Sequence, residues 1–473
     1  MSRIEIGKRQ RRSFVPGRTT FLAACAVLLG AAVYFLVPRF EWTKPSVRIR
    51  PDTGVLGLVP LEIEIADGGS GLRSVSVVLS SAGTDHTLAS EQYARPLAGK
   101  RLTVALSSKL SGLKEGPAVL TVTARDGSWW GFFRGNQAVV RKEITIDITP
   151  PAIELIADDP YVNFGGCGLI VYRVSADAVS SGVKVGPYFF PGYKGQVRNS
   201  DAYLAFFAHP YDVPESEKAA LIAADRAGNT RQVPLAYELK GVKYKRSVIS
   251  VTDDFIRSKV APLLNDVGAR QAGAREIFLK VNRDLRKEND DRIRAIGRKT
   301  ASSMLWSGAF RQLSNSKVEA NFADARTYVY QGENVDKAYH LGFDLSVTKR
   351  YPVEAANAGV VSFVGDLGIY GNTIMIDHGL GLSTLYSHLS SAEVKVGDQV
   401  KQGQIIAKTG ETGLAVGDHL HFGVYLQGVP VLPIEWWDEK WIRDNIVPKL
   451  DPAAAAAAEQ SKPTPKLARK RRR

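Results

Sequence analysis

Strand-period alternation runs through most of this chain and limits it to folds built largely from β-sheet. In "PLEIEIADGGSGL", Leu61, Ile63 and Ile65 alternate with Glu62 and Glu64 before a cluster of turn residues. A period of two turns one face toward a core and the other toward water. Short segments of this kind, broken by Gly, Asp, Ser and Pro, fill residues 45 to about 240.

A weak internal repeat organises that region. Asp67 through Leu72 is similar to Asp177 through Val183, and "VTARDGS" around Asp126 is similar to "IAADRAGN" around Asp225. The separations are 110 and 99 residues, with "ITPP" at 148 to 151 between the copies. Such a period suits two Ig-like β-sandwich modules in tandem, over 45–150 and 151–245. The turn from Asp225 to Asn229 also resembles the D-x-A-G-N turn of bacterial Ig-like surface modules.

At 473 residues, about three folded units are expected. The net charge of +14 points toward nucleic acid only until it is located. Residues 1–18 carry six Lys/Arg against one Glu, and residues 461–473 carry seven with no acid. The folded body is therefore close to neutral, and a nucleic-acid groove is disfavoured.

Between Arg18 and Arg39 lies "TTFLAACAVLLGAAVYFLVP", twenty residues without a charge. That length suits a transmembrane signal anchor over 19–38, and the preceding cations place the basic segment 1–18 in the cytoplasm. The expected location is the inner membrane, single-pass, with the bulk of the chain periplasmic. A cleaved signal peptide is the alternative, although no small-x-small site followed by a polar break ends the run. "LAAC" at Leu22 to Cys25 also fits a lipobox, but most of the apolar run follows Cys25. The only other cysteine, Cys167, reads as a small buried apolar residue, and no disulfide is expected.

From Thr252 the period becomes helical. Thr252 is a good N-cap, and Ile277, Phe278, Val281 and Leu285 fall on one stripe, which gives a helical connector over 252–317 with a solvated charged face. Strand patterning returns over 318–446. The tail 451–473, with six alanines and "SKPTPKLARKRRR", lacks a core. Its cations read either as a hold on anionic envelope polymers or as a solvated end.

Five of the seven histidines, His340, His378, His388, His419 and His421, fall between residues 340 and 421. In "YHLGFDLS", His340 and Asp344 are four apart; in "GDHLHFGV", His419 and His421 are two apart. On strands, even spacings put side chains on one face, so one strand could carry His340 with Asp344 and another the histidine pair. A catalytic zinc wants three His or carboxylate ligands and an open position for water. No H-E-x-x-H helix is present, so spare histidines would have to handle protons.

The run from His340 to about Trp437 resembles the lysostaphin-type zinc endopeptidases, bacterial cell-wall enzymes with a LytM-like domain. The resemblance rests on "HLGFDL", "YPVEAANAGVVSFVG", "YGNTIMIDHGLGLSTLYSHLS" and "VKVGDQVKQGQIIAKTGETGLAVGDHLHFGV". It implies an antiparallel β peptidase domain with an open groove, one Zn2+ per chain on His340, Asp344 and His421, and catalytic His388 and His419. Asn372 matches a groove position, His378 is expected to be structural, and Tyr328 and Tyr330 are candidates for a phenol at the site. The implied substrate is peptidoglycan, with a Gram-negative stem-peptide crosslink as the expected bond. Some LytM-type domains instead activate amidases without catalysis, a class marked by substituted ligand positions. All five positions are occupied here. A wall-binding scaffold built on the β modules is the other alternative.

Overall fold

The computed structural model describes residues 17–106 and 113–451. The basic residues 1–16 and 452–473, and with them most of the expected cytoplasmic segment and tail, lie outside the described residues. The apolar run forms a 19-residue helix, Arg18–Leu36, along which Phe21, Val27, Leu28 and Phe35 are exposed. Among the described residues no helix is long and apolar enough to cross a membrane.

Two compact units divide the chain: Met1–Pro150 with Arg226–Asn229, and Pro151–Asp225 with Thr230–Arg473. In the first, a three-stranded sheet (Ser46–Arg50, Leu61–Ala66, Gly99–Val104) and a mostly antiparallel five-stranded sheet share one core. The alternation seen in the sequence is the cause: Ile63 and Ile65 are buried while Glu62 faces outward.

The repeated motif sets the same strand pairing twice. Leu72–Ser81 runs antiparallel to Gly116–Asp126, and Ala178–Val185 runs antiparallel to Ala220–Asp225. Elsewhere the copies differ, the second having two four-stranded sheets. An Ig-like topology is established for neither.

In the second unit, three parts expected to be separate are packed together. One hydrophobic cluster runs from Tyr172, Phe206 and Phe207 of the second β region through Trp306 and Trp436 to Leu420 and Phe422. The helices of 253–297 are equally integrated. Thr252 accepts a hydrogen bond from the Phe255 amide and caps the first turn, and Ile277, Phe278 and Val281 pack in one cluster with Tyr328, Tyr370 and Tyr425. The expected connector is thus a wall of the C-terminal domain, and no helix is found over 298–316. The boundary expected at 318 also moves, because the strand Arg246–Val251 pairs in parallel with Asp324–Tyr330.

The C-terminal domain is built on an eight-stranded sheet whose centre holds Phe343–Ser346, Leu420–Leu426, Leu382–Ser387 and Asn372–Gly379 as antiparallel neighbours. Leu420–Leu426 is buried at every residue, so its polar members must find partners inside.

Candidate metal centre and active site

His340 and Asp344 do not share a strand. His340 ends Glu333–His340 in a three-stranded sheet, whereas Asp344 belongs to Phe343–Ser346 in the eight-stranded one. The chain switches sheets at Leu341 and Gly342. A side chain on Gly342 would lie 2.5 Å from the Phe422 carbonyl oxygen and 2.7 Å from His421 Nε2, so only glycine permits this close crossing. Asp344 then faces His421 directly across the ladder.

Three ligand-type atoms close a triangle. His340 Nε2 lies 2.9 Å from Asp344 Oδ1 and 3.0 Å from His421 Nδ1, which is 3.0 Å from the same Oδ1. His340 Nδ1 is 2.9 Å from the Asn321 carbonyl oxygen, so it must be the protonated nitrogen and donate there. Its Nε2 then faces a carboxylate oxygen at 2.9 Å, close enough either to donate to it or to share a cation with it. Ligands of a tetrahedral zinc, at about 2.0–2.1 Å from the ion, are about 3.3 Å apart, close to the size of this triangle. The carbonyl behind His340 is the usual backing of a metal-binding imidazole. These residues fit zinc.

Beside the triangle stand His388 and His419, their ring centroids 4.9 Å apart. His388 follows the strand Leu382–Ser387 with a left-handed φ of 62° and donates through Nδ1 to the Thr412 carbonyl, 2.8 Å away, leaving Nε2 unprotonated. His419 Nδ1 is 3.0 Å from the Gly417 carbonyl, and its Nε2 is 3.6 Å from Asp344 Oδ1. His419 and His421 therefore address the same carboxylate.

The surroundings set the charges. Burial alone would raise the Asp344 carboxyl, but the charge of His340 and hydrogen bonds from the three imidazoles hold it well below the usual range. Burial, helped by neighbouring histidines, pushes His388 down to about 3. Burial likewise pushes His421 down to about 4, against the pull of Asp344. For His419 burial works downward, but the hydrogen bond and charge of Asp344 outweigh it and raise the pKa.

All five residues line one cavity of about 420 Å³. Tyr328 lines it too, its ring packed against Phe278, whereas the Tyr330 hydroxyl donates to Asp253 and is not among the lining. Asn372 is not among the lining either; its side chain donates to the Leu389 carbonyl. His378 is buried and satisfied at both nitrogens by Ala358 O and Thr384 Oγ1. Sequence reasoning missed Arg326, whose guanidinium is 3.5 Å from Asp344 Oδ2, and Tyr370, whose ring is 5.6 Å from that of His421. Both come from segments with no ligand-type spacing, and only the fold brings them in.

Residues 338–433 match the model of Peptidase family M23, so this segment is an M23-type, LytM-like domain. The chain is 41% identical over 95 residues to the DD-carboxypeptidase/endopeptidase Mpg of Neisseria meningitidis, covering 20% of this chain and 22% of that one. It is 38% identical over 94 residues to the peptidoglycan DD-endopeptidase ShyA of Vibrio cholerae, again 20% and 22%. The chain thus spans about a fifth of the length of these curated relatives. Among solved structures, the catalytic domain of lysostaphin from Staphylococcus simulans is 30% identical, with 28% of this chain and 98% of that one covered and a TM-score of 0.24.

Proposed function

We propose that this protein is a zinc metalloendopeptidase that hydrolyses peptide crosslinks of peptidoglycan. The observation that carries the reading is the convergence of His340, His421 and His419 on one Asp344 oxygen, beside His388, in a domain of the M23 type. Zinc held by His340, Asp344 and His421 would supply Lewis acidity toward water and the scissile carbonyl. The chain's own groups do the rest. His388 and His419 each fix Nδ1 on a backbone carbonyl, which turns both Nε2 atoms to proton transfer between the attacking water and the leaving amine. Arg326 neutralises the outer oxygen of Asp344 and holds its plane. The curated relatives described above, named for activity on peptidoglycan or its DD bonds, support the substrate class.

The same proposal includes a membrane anchor. The apolar side chains exposed along Arg18–Leu36, and the cations that precede it in sequence, support attachment of the uncharged run 19–38 to a membrane with the bulk of the chain extracytoplasmic.

The test is metal analysis together with hydrolysis of purified peptidoglycan. His421→Ala should abolish both the zinc, near one per chain in the wild type, and the hydrolysis. His419→Ala should keep the metal and lose turnover by about 100-fold or more. Zinc lost in His419→Ala but kept in His421→Ala would overturn the assignment. Mass analysis of released fragments identifies the bond.

A further inference from the structure

An aromatic loop in the first unit has no role in the peptidase chemistry. In "SWWGFFRGN", residues 128–136, Phe132 is 96% exposed, Phe133 64% and Trp130 50%. Close by, Trp42 is 74% exposed and pairs edge-on with Trp130, their centroids 6.2 Å apart. Phe40 stacks edge-on against Trp129, and the Arg39 guanidinium sits 5.5 Å above the same ring. Six aromatic rings thus form one patch, with the exposed cations Arg39 and Arg134 beside it.

The loop's backbone is held in an unfavourable shape to make this display. Gly131, Phe132 and Phe133 all have φ near 60°, a left-handed region that bulky residues avoid. Phe132, kept there with its ring in water, is not explained by folding, and Phe133 stays largely exposed although its ring lies 5.5 Å from that of Trp129. Such an outlier points to a function.

What covers the patch follows from where it is tied. The Trp129 amide donates to the Arg39 carbonyl at 2.6 Å, Ser128 Oγ to the Glu41 carbonyl at 2.7 Å, and Asn136 Nδ2 to the carbonyls of Glu41 and Thr43. The loop is therefore fastened to the chain that leaves the apolar helix Arg18–Leu36, within one compact unit. We infer that the patch is a bilayer-docking surface: Trp42, Trp130, Phe132 and Phe133 enter the interfacial zone of the extracytoplasmic leaflet, and Arg39 meets lipid phosphates. Amphipathic aromatic rings settle at that depth, and cations at their edge favour anionic headgroups. The inference rests on the anchor reading for its orientation. It goes beyond that reading by giving the first β unit a fixed attitude on the membrane surface.

The full chain, with Cys25→Ser and Arg134→Cys, is labelled at position 134 with an environment-sensitive fluorophore; Cys167 is buried and does not react. It is incorporated into phosphatidylethanolamine and phosphatidylglycerol vesicles containing lipid with a shallow doxyl quencher. A control carries the label at Thr84→Cys, at the opposite end of the Leu72–Ser81 and Thr84–Leu97 hairpin, about 30 Å away. Label 134 should lose about half its emission and label 84 almost none, since interfacial groups lie within about 5–10 Å of the acyl boundary. Adding Trp130→Ser and Phe132→Ser should bring label 134 to the control level. Equal quenching at both positions, or quenching at 134 that ignores the two serines, overturns the inference. Carbonate extraction separates it from the anchor reading. A chain stripped by carbonate yet quenched at 134 lacks the anchor and keeps the docking surface, whereas a chain that resists carbonate with 134 unquenched has the anchor alone.

Discussion

The two β regions that share a strand-pairing pattern differ in what buries them. Residues 46–146 close on their own core, where Ile63, Val77, Leu79, Leu120 and Val122 are fully enclosed. Residues 153–234 do not: their cluster continues into the peptidase domain through Phe206, whose ring lies 5.8 Å from that of Trp436. Buried polar ties follow the same seam. Glu435 accepts from the Cys167 amide and from Asn163, Lys449 pairs with buried Asp159, and the Leu432 amide donates to the Gly165 carbonyl. Gly166 is glycine because a side chain there would lie 2.2 Å from Glu435 Oε1. One copy of the motif closes on a core of its own, and the other shares its core with the eight-stranded sheet of the C-terminal domain.

The largest effect should come from cutting the hydrophobic seam. Trp436 is fully buried among Phe206, Trp306, Phe310 and Trp441. Trp436→Ala should cost about 3–5 kcal/mol. It should lower a single calorimetric transition that includes both the second β region and the peptidase domain, with hydrolysis lost in step. Leu79→Ala, of about 2–5 kcal/mol, should instead lower a separate transition and leave hydrolysis in place. Two independent transitions within residues 151–451, seen by hydrogen exchange, would break the contrast.

Glu435 gives the seam a pH dependence of its own. Burial pushes its carboxyl from 4.5 up to about 8, against the hydrogen bonds from Asn163 and Cys167. The folded state thus holds a proton that the unfolded state has released. Its stabilisation is complete below about 4.5 and declines as pH rises toward 8, by on the order of a few kcal/mol. Chemical denaturation at a series of pH values should show that decline, and Glu435→Gln should flatten it. A decline unchanged in Glu435→Gln would assign it elsewhere.

Local pattern was legible in the sequence wherever one residue's surroundings come from its own segment. The alternation of Leu61, Ile63 and Ile65, the Thr252 cap and the order of the histidine motifs all fall in this class. The resemblance to LytM-type enzymes reached the triangle of His340, Asp344 and His421. What spacing alone misjudged was the sheet switch at Gly342: an interval of four looked like one strand face, and is in fact a crossing between two sheets. Illegible were the packing partners. Nothing in "NFGGCGLI" announces a carboxylate from residue 435, nor does the stripe of Ile277 and Phe278 reveal that its partners are Tyr328 and Tyr370. Those choices depend on shape complementarity between distant segments, which periodicity does not encode.

The smallest effect sharpens the comparison from the outside. Arg173, on the second β region's strand Cys167–Val174, pairs with Asp201 at 3.0 Å and Glu154 at 3.4 Å, all three side chains being about half exposed or more. Water screens such pairs and holding the long side chains costs entropy, so Arg173→Ala should leave stability almost unchanged. If burial at the seam is what makes this region part of the peptidase unit, removing its outer charges should leave the joint transition and its pH dependence where they were, and added salt should erase what little shift occurs. A shift comparable to that of Trp436→Ala would mean that surface charge, and not the shared core, couples the second β region to the eight-stranded sheet.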